Sequence, residues 1–86
     1  MITYRDEDEA VAIANGVEYG LHAYVYSADR ERARAIANRL QTGRVMINEL
    51  VHDPKAPFGG FKQSGFGREF GVAGMQSFTE SRAVFG

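Results

Sequence analysis

The residue types most able to do chemistry gather in one stretch, Ala56-Pro57-Phe58-Gly59-Gly60-Phe61-Lys62-Gln63-Ser64-Gly65-Phe66-Gly67-Arg68-Glu69. Glycines with a lysine and a serine are the ingredients of a phosphate cradle, which needs Gly-Lys-Ser/Thr in direct succession at a helix start. Here Phe61 precedes Lys62 and Gln63 separates Lys62 from Ser64, so the hydroxyl that would hold magnesium is misplaced. The dinucleotide fingerprint asks for three glycines in a fixed tight spacing directly after a strand. Gly65, Gly67 and Gly71 miss its last interval by one residue. The glycines therefore predict tight turns and close backbone approach rather than autonomous nucleotide binding. With Phe58, Phe61 and Phe66 among them, the stretch suits a rigid loop lining a pocket or an interface.

Other candidates for chemistry have blander readings. Asp6, Glu7, Asp8 and Glu9 could ligate a cation, but a run of acids also suits the first turn of a helix, where free N–H groups favour negative charge. His22 could act as acid or base, yet it sits in a strand-like row of bulky residues and reads as a packing residue. Arg30, Arg32, Arg34 and Arg39 could grip phosphate. Glu31 and the acidic cluster offset their field, so a solvated helix face is the expectation. His22 and His52 are thirty residues apart and make no local metal pair, and the chain has no cysteine. A thiolate nucleophile, a disulfide and a zinc–thiolate site are thus all excluded.

The elements that must position these groups follow from periodicity. Ile2–Tyr4 is a short β-prone stub. Asp6 with Glu9 resembles a capping box opening a helix. Ala10, Ile13, Ala14 and Val17 repeat at helical spacing, and Asn15-Gly16 ends or frays that helix. Leu21–Tyr26 alternates as a strand, with Leu21, Ala23 and Val25 on one face and His22, Tyr24 and Tyr26 on the other. Both rows are bulky, which predicts a sheet covered on both sides. Asp29 can cap a second helix whose apolar stripe is Ala33, Ile36, Ala37 and Leu40, with Gly43 as its C-cap. Arg44–Asn48 is the next strand. The order βαβαβ places the chain in the α/β class with parallel strands. Glu49–Gly67 has no usable period and holds both prolines; a loop this long in a small domain is usually functional. Arg68–Thr79 reads as a helix in which Gly71 and Gly74 make sense if another backbone comes close, and Arg82–Phe85 as a last short strand.

Composition points outward. The chain has 86 residues, 44% of them hydrophobic, and a net charge of −1. Leu, Ile, Val and Phe together supply only 20 residues while alanine supplies 11. A chain so short and so poor in large side chains is marginal alone and is expected to pack against something else. The charge balance offers nothing to nucleic acid. No apolar run approaches the ~18 residues of a membrane span, and the N-terminus lacks a signal-peptide pattern, so the expected setting is cytoplasmic.

The compound pattern Pro57-Phe58-Gly59-Gly60, Lys62, Ser64-Gly65, Gly67-Arg68-Glu69 and Gly71 resembles the C-terminal signature of the aldehyde dehydrogenase superfamily. Glu9-Ala10-Val11, Ala14-Asn15, Tyr19-Gly20-Leu21, Gly43, Ile47-Asn48 and Thr79-Glu80 agree in the same order, so the resemblance covers essentially the whole chain. It implies that residues 1–86 form one incomplete domain, the last part of a catalytic domain in a longer NAD- or NADP-dependent oxidoreductase. In that family a cysteine thiolate attacks the aldehyde, hydride passes to the nicotinamide, and a glutamate activates the hydrolytic water. None of this machinery is carried here: the nucleophile is missing and no carboxylate present should be promoted in its place. By resemblance, Leu50, Val51, His52 and Phe58 belong to a substrate-side loop. Lys62, Ser64, Arg68, Glu69 and Glu80 support the loop and a subunit interface, with Arg68 and Glu80 a candidate ion pair. No catalytic, cofactor-binding or metal residue is assigned. Two readings follow: a C-terminal fragment inactive alone, whose partner is the N-terminal part of the enzyme, or a non-enzymatic, self-associating oligomerisation module.

Overall fold

In a computed structural model covering residues 1–86, helix α1 spans Glu7–Asn15 and starts where the sequence places its cap. The Asp6 carboxylate accepts from the Glu9 backbone N–H at 2.8 Å, satisfying one of the free donors of the first turn. Glu9 does not return the bond as a capping box would; its carboxylate takes Arg5 at 2.8 Å instead. Two short strands follow, β1 at Tyr19–Gly20 and β2 at His22–Val25. Helix α2, Arg30–Ala37, is capped by Asp29, whose side chain accepts from the N–H groups of Glu31 and Arg32. Strand β3 is Arg44–Ile47, strand β4 is Phe61–Lys62, and helix α3 is Gly71–Gln76.

The expected βαβαβ order reduces to one βαβ unit. β2 and β3 pair in parallel, with Ala23 opposite Val45 and Val25 opposite Ile47, and α2 makes the crossover. Ile2–Tyr4 and Arg82–Phe85, both read as strands from sequence, lie outside any ladder and are exposed. A stub of three or four β-prone residues becomes a strand only when a neighbour takes up its N–H and C=O groups, and neither stub has one here. A pairing that periodicity did not suggest joins β1 to β4 antiparallel, Tyr19 opposite Lys62 and Gly20 opposite Phe61. Gly43 does not cap α2, which ends at Asn38. The backbone of Gly43 instead lies so close to the Gly59 carbonyl that a Cβ would collide with it. The last helix is shorter than the expected Arg68–Thr79 because Glu69 is taken by an antiparallel bridge to Phe58.

Asn48 extends the parallel ladder past its end. It adopts φ 60°, in the left-handed region that Asn tolerates better than most residues. Its side chain accepts from the Ser27 N–H and donates to the Ser27 carbonyl, both at 2.8 Å. The arginines of α2 and its exit pair with the acids of α1: Arg32 with Glu7, and Arg39 with Asp8 at 2.8 Å. The acidic cluster and the basic face are thus linked by two exposed ion pairs.

The core is thin. Five residues are buried, and only Val11 and Ala33 among them carry an apolar side chain. The radius of gyration is 16.2 Å, against ~12 Å for a compact domain of this length. The accessible surface is 7147 Å², roughly 2,100 Å² more than a folded monomer of this mass exposes. Of the two sheet faces that alternation predicted to be covered, the one bearing His22, Tyr24 and Tyr26 is open, while Ala23 and Val25 on the other are half-buried; away from the sheet, Phe66, Phe78 and Phe85 are exposed too. No helix is long and apolar enough to cross a membrane.

Candidate functional site

The loop from Glu49 to Phe70 is ordered by side chains rather than by repeating backbone structure. Its centre is Arg44, the first residue of β3 and half-buried. The guanidinium donates to the carbonyls of Ala56 at 3.0 Å, Pro57 at 3.1 Å and Asp53 at 3.3 Å. It also reaches His52 Nδ1 at 3.2 Å. The same group stands 5.0 Å from the Phe58 ring centre and 5.9 Å from that of Phe70, within range of the ring quadrupoles.

The rings pack on one another around it. His22 meets Phe58 edge-on at 5.6 Å, His52 meets Phe70 edge-on at 5.5 Å, and Phe58 lies 5.7 Å from Phe70. Reciprocal backbone bonds tie Phe58 to Glu69: the Phe58 N–H donates at 2.9 Å and the Glu69 N–H at 2.7 Å. Phe70 sits at φ 66°, ψ 149°, a conformation costly for a residue with a side chain. The bridge on one side and the ring contacts on the other over-determine it. Gly71 follows at φ 61°, with the Lys55 carbonyl where a Cβ would be. This is the close backbone approach that a glycine in a helix start suggested.

The other loop residues divide by what they touch. The Lys62 ammonium donates to the carbonyls of Asn15 at 2.7 Å and Val17 at 3.0 Å, so it caps the exit of α1. The Ser64 hydroxyl accepts from the Gly20 N–H at 2.8 Å and braces β1. Arg68 donates to the carbonyls of Gly60 at 3.1 Å and Gly67 at 2.6 Å and lies 5.4 Å from the Phe61 ring centre. Arg68 does not pair with Glu80; the chain's ion pairs are Arg5–Glu9, Arg32–Glu7 and Arg39–Asp8. The guanidinium is held by carbonyls of its own loop, and Glu80 is exposed beyond the last helix. Glu69 takes part through its backbone. Leu50, Val51 and His52 line a shallow cleft of about 250 Å³ with His22, Tyr24, Arg44 and Met46. Phe58 is half-buried behind it, in edge contact with His22.

A pyrophosphate seat needs several backbone N–H groups aimed at one point. Three N–H groups of this stretch are engaged by carbonyls of the chain itself: Gln63 to Glu18 O at 2.8 Å, Ser64 to Phe61 O at 3.1 Å, Gly65 to Lys62 O at 3.4 Å. No group of three or more His, Asp or Glu side chains is placed to hold a metal.

Arg44 is the residue that sequence reasoning passed over, counting it as a strand start. The signal was present: a cation heading an otherwise apolar strand, directly after Gly43, is costly to half-bury unless its donors have partners.

The sequence model of the aldehyde dehydrogenase family matches residues 1–84. A Staphylococcus saprophyticus protein carrying the aldehyde dehydrogenase name is 46% identical over the whole chain, which spans about 18% of that relative's length. Aldehyde dehydrogenase C from Pseudomonas syringae, a mutant solved with NAD+ and octanal, superposes with a TM-score of 0.93. It is 49% identical, over 96% of this chain and 17% of its own. A Mycobacterium tuberculosis aldehyde dehydrogenase solved with NAD+ gives a TM-score of 0.86 at 43% identity, over 90% of this chain and 16% of its own. With Arg44, Phe58 and the glycine-rich loop in this arrangement, and with that match from end to end, the chain belongs to the aldehyde dehydrogenase family.

Proposed function

We propose that this chain is the C-terminal segment of an NAD- or NADP-dependent aldehyde dehydrogenase, in which it supplies scaffold and a substrate-side loop and carries out no chemistry alone. The observation that carries this reading is the match, over 96% of the chain, to an enzyme solved with both NAD+ and octanal. The surplus of about 2,100 Å² of exposed surface supports it, since roughly that area is what an absent partner would cover. The partner in this reading is the remainder of the enzyme, which holds the thiolate, the glutamate and the dinucleotide. Leu50, Val51 and His52 face the incoming aldehyde, and Phe58 stands behind them on a loop fixed from β3. Lys62, Ser64 and Arg68 keep that loop in register with α1 and β1.

The test is a graft: residues 1–84 replace the matching stretch of the active Pseudomonas syringae enzyme. The expected result is NAD+ reduction with octanal by the graft and none by the isolated 86-residue chain. A graft that folds, assembles and binds NAD+ yet leaves octanal unoxidised would refute the reading. It would turn attention to a self-associating module, for which light scattering of the isolated chain is the direct measurement.

A further inference from the structure

We propose that Arg44 is a positioning residue for aldehyde binding: from its fixed place in β3, it sets where Phe58 and His52 stand in the substrate-side loop. The inference rests on the functional reading above and adds to it a residue and a role. Three features of the structure carry it. One guanidinium holds the turn at residues 53–57 by three of its carbonyls, Asp53, Ala56 and Pro57, at 3.0–3.3 Å. The same group touches both the imidazole of His52 and the faces of Phe58 and Phe70. It also lines the cleft with Leu50, Val51 and His52.

The geometry needs an arginine in particular. The planar fork sends donors in several fixed directions while its faces remain free for rings. A lysine at the same place brings a single point of charge that could reach one or two neighbouring carbonyls but offers no flat face to the rings, and a methionine brings no donor at all. Without the fork, the carbonyls of Asp53, Ala56 and Pro57 lose their tie to β3, while the turn's own bonds to Asp53 from the Ala56 and Lys55 N–H groups, the Phe58–Glu69 bridge and β3 pairing persist. The loop would then keep its ends and its turn but lose the anchor that sets where the turn sits against β3. Such a change alters binding of the aldehyde body, an interaction shared by ground and transition states, and so falls on KM more than on kcat.

The experiment uses the grafted Pseudomonas syringae enzyme with Arg44→Met and Arg44→Lys, assayed with octanal and with propanal. Arg44→Met should raise KM for octanal about tenfold, change KM for propanal less, and leave KM for NAD+ within about twofold. Arg44→Lys should recover part of the octanal loss. A fall in melting temperature with aldehyde KM unchanged would overturn the proposal and reduce Arg44 to a staple of the fold. If Arg44→Met does not fold, Arg44→Lys decides: a raised octanal KM supports positioning, an unchanged one rejects it. An unsubstituted graft that folds but oxidises nothing defeats the functional reading, and this inference with it. An active graft indifferent to both Arg44 variants defeats this inference alone.

Discussion

From Glu7 to Asn48 the backbone is held mainly by its own repeating bonds: two capped helices, a parallel ladder and an asparagine that prolongs it. From Glu49 to Gln76 the order comes from elsewhere. Arg44, Lys62 and Arg68 bring cationic donors to eight-residue-distant or farther carbonyls, and glycines let strands of chain touch where a side chain would separate them. The first region resembles the interior of any α/β layer. The second resembles a shaped surface, stiff without being regular. A loop built this way can take a form that neither helix nor strand allows, at the cost of depending on a few long side chains.

The sharpest way to break the contrast is at the seam between the two regions. Gly43→Ala puts a methyl into the Gly59 carbonyl. Since both partners are backbone, relief requires the loop to move off β3. The expected cost in the grafted enzyme is at least ~3 kcal/mol, the upper end of ordinary overpacking. Loss of octanal turnover should accompany it. An unchanged denaturant midpoint would mean that the halves are not in close register.

A matched pair then separates the regions by kind of effect. Asn48→Ala removes both bonds to Ser27 and leaves alanine at φ 60°. About 2 kcal/mol of stability should be lost, with kcat/KM per folded enzyme nearly unchanged. Phe58→Ala should do the reverse, lowering octanal kcat/KM about tenfold while moving the melting point less, because the ring is only half-buried. If instead the melting point collapses while kcat/KM holds, Phe58 belongs to the core. The smallest effect is expected at Asp29→Ala, where loss of the cap on α2 should cost ~1 kcal/mol and leave every kinetic constant alone.

Local physics made α1, the strand β2, α2 and the strand β3 legible, because each is a matter of spacing and caps within about ten residues. Asp6 and Asp29 stand before helices with donors to satisfy, and the alternation of Leu21–Tyr26 has only one periodic reading. The glycine-rich signature carried the family for a similar reason: it is contiguous, and its turns demand those residues in that order. Non-local contacts were not legible. Pairing of Tyr19–Gly20 with Phe61–Lys62 joins segments some forty residues apart, with no alternation in either to announce it. Ile2–Tyr4 and Arg82–Phe85 show the converse. Their β propensity was read correctly as propensity, but a strand is a relation between two segments, and no partner lies beside either.

By itself, then, the chain's order of residues determined the βαβ unit, its caps, and the family. Propensity, periodicity and a contiguous motif act over a few residues and survive in one dimension. Only the tertiary structure decided what Arg44 does and where Gly43 is needed. The carbonyls that both meet lie nine to sixteen residues along the chain and are backbone atoms, which carry no side-chain identity for a sequence to display.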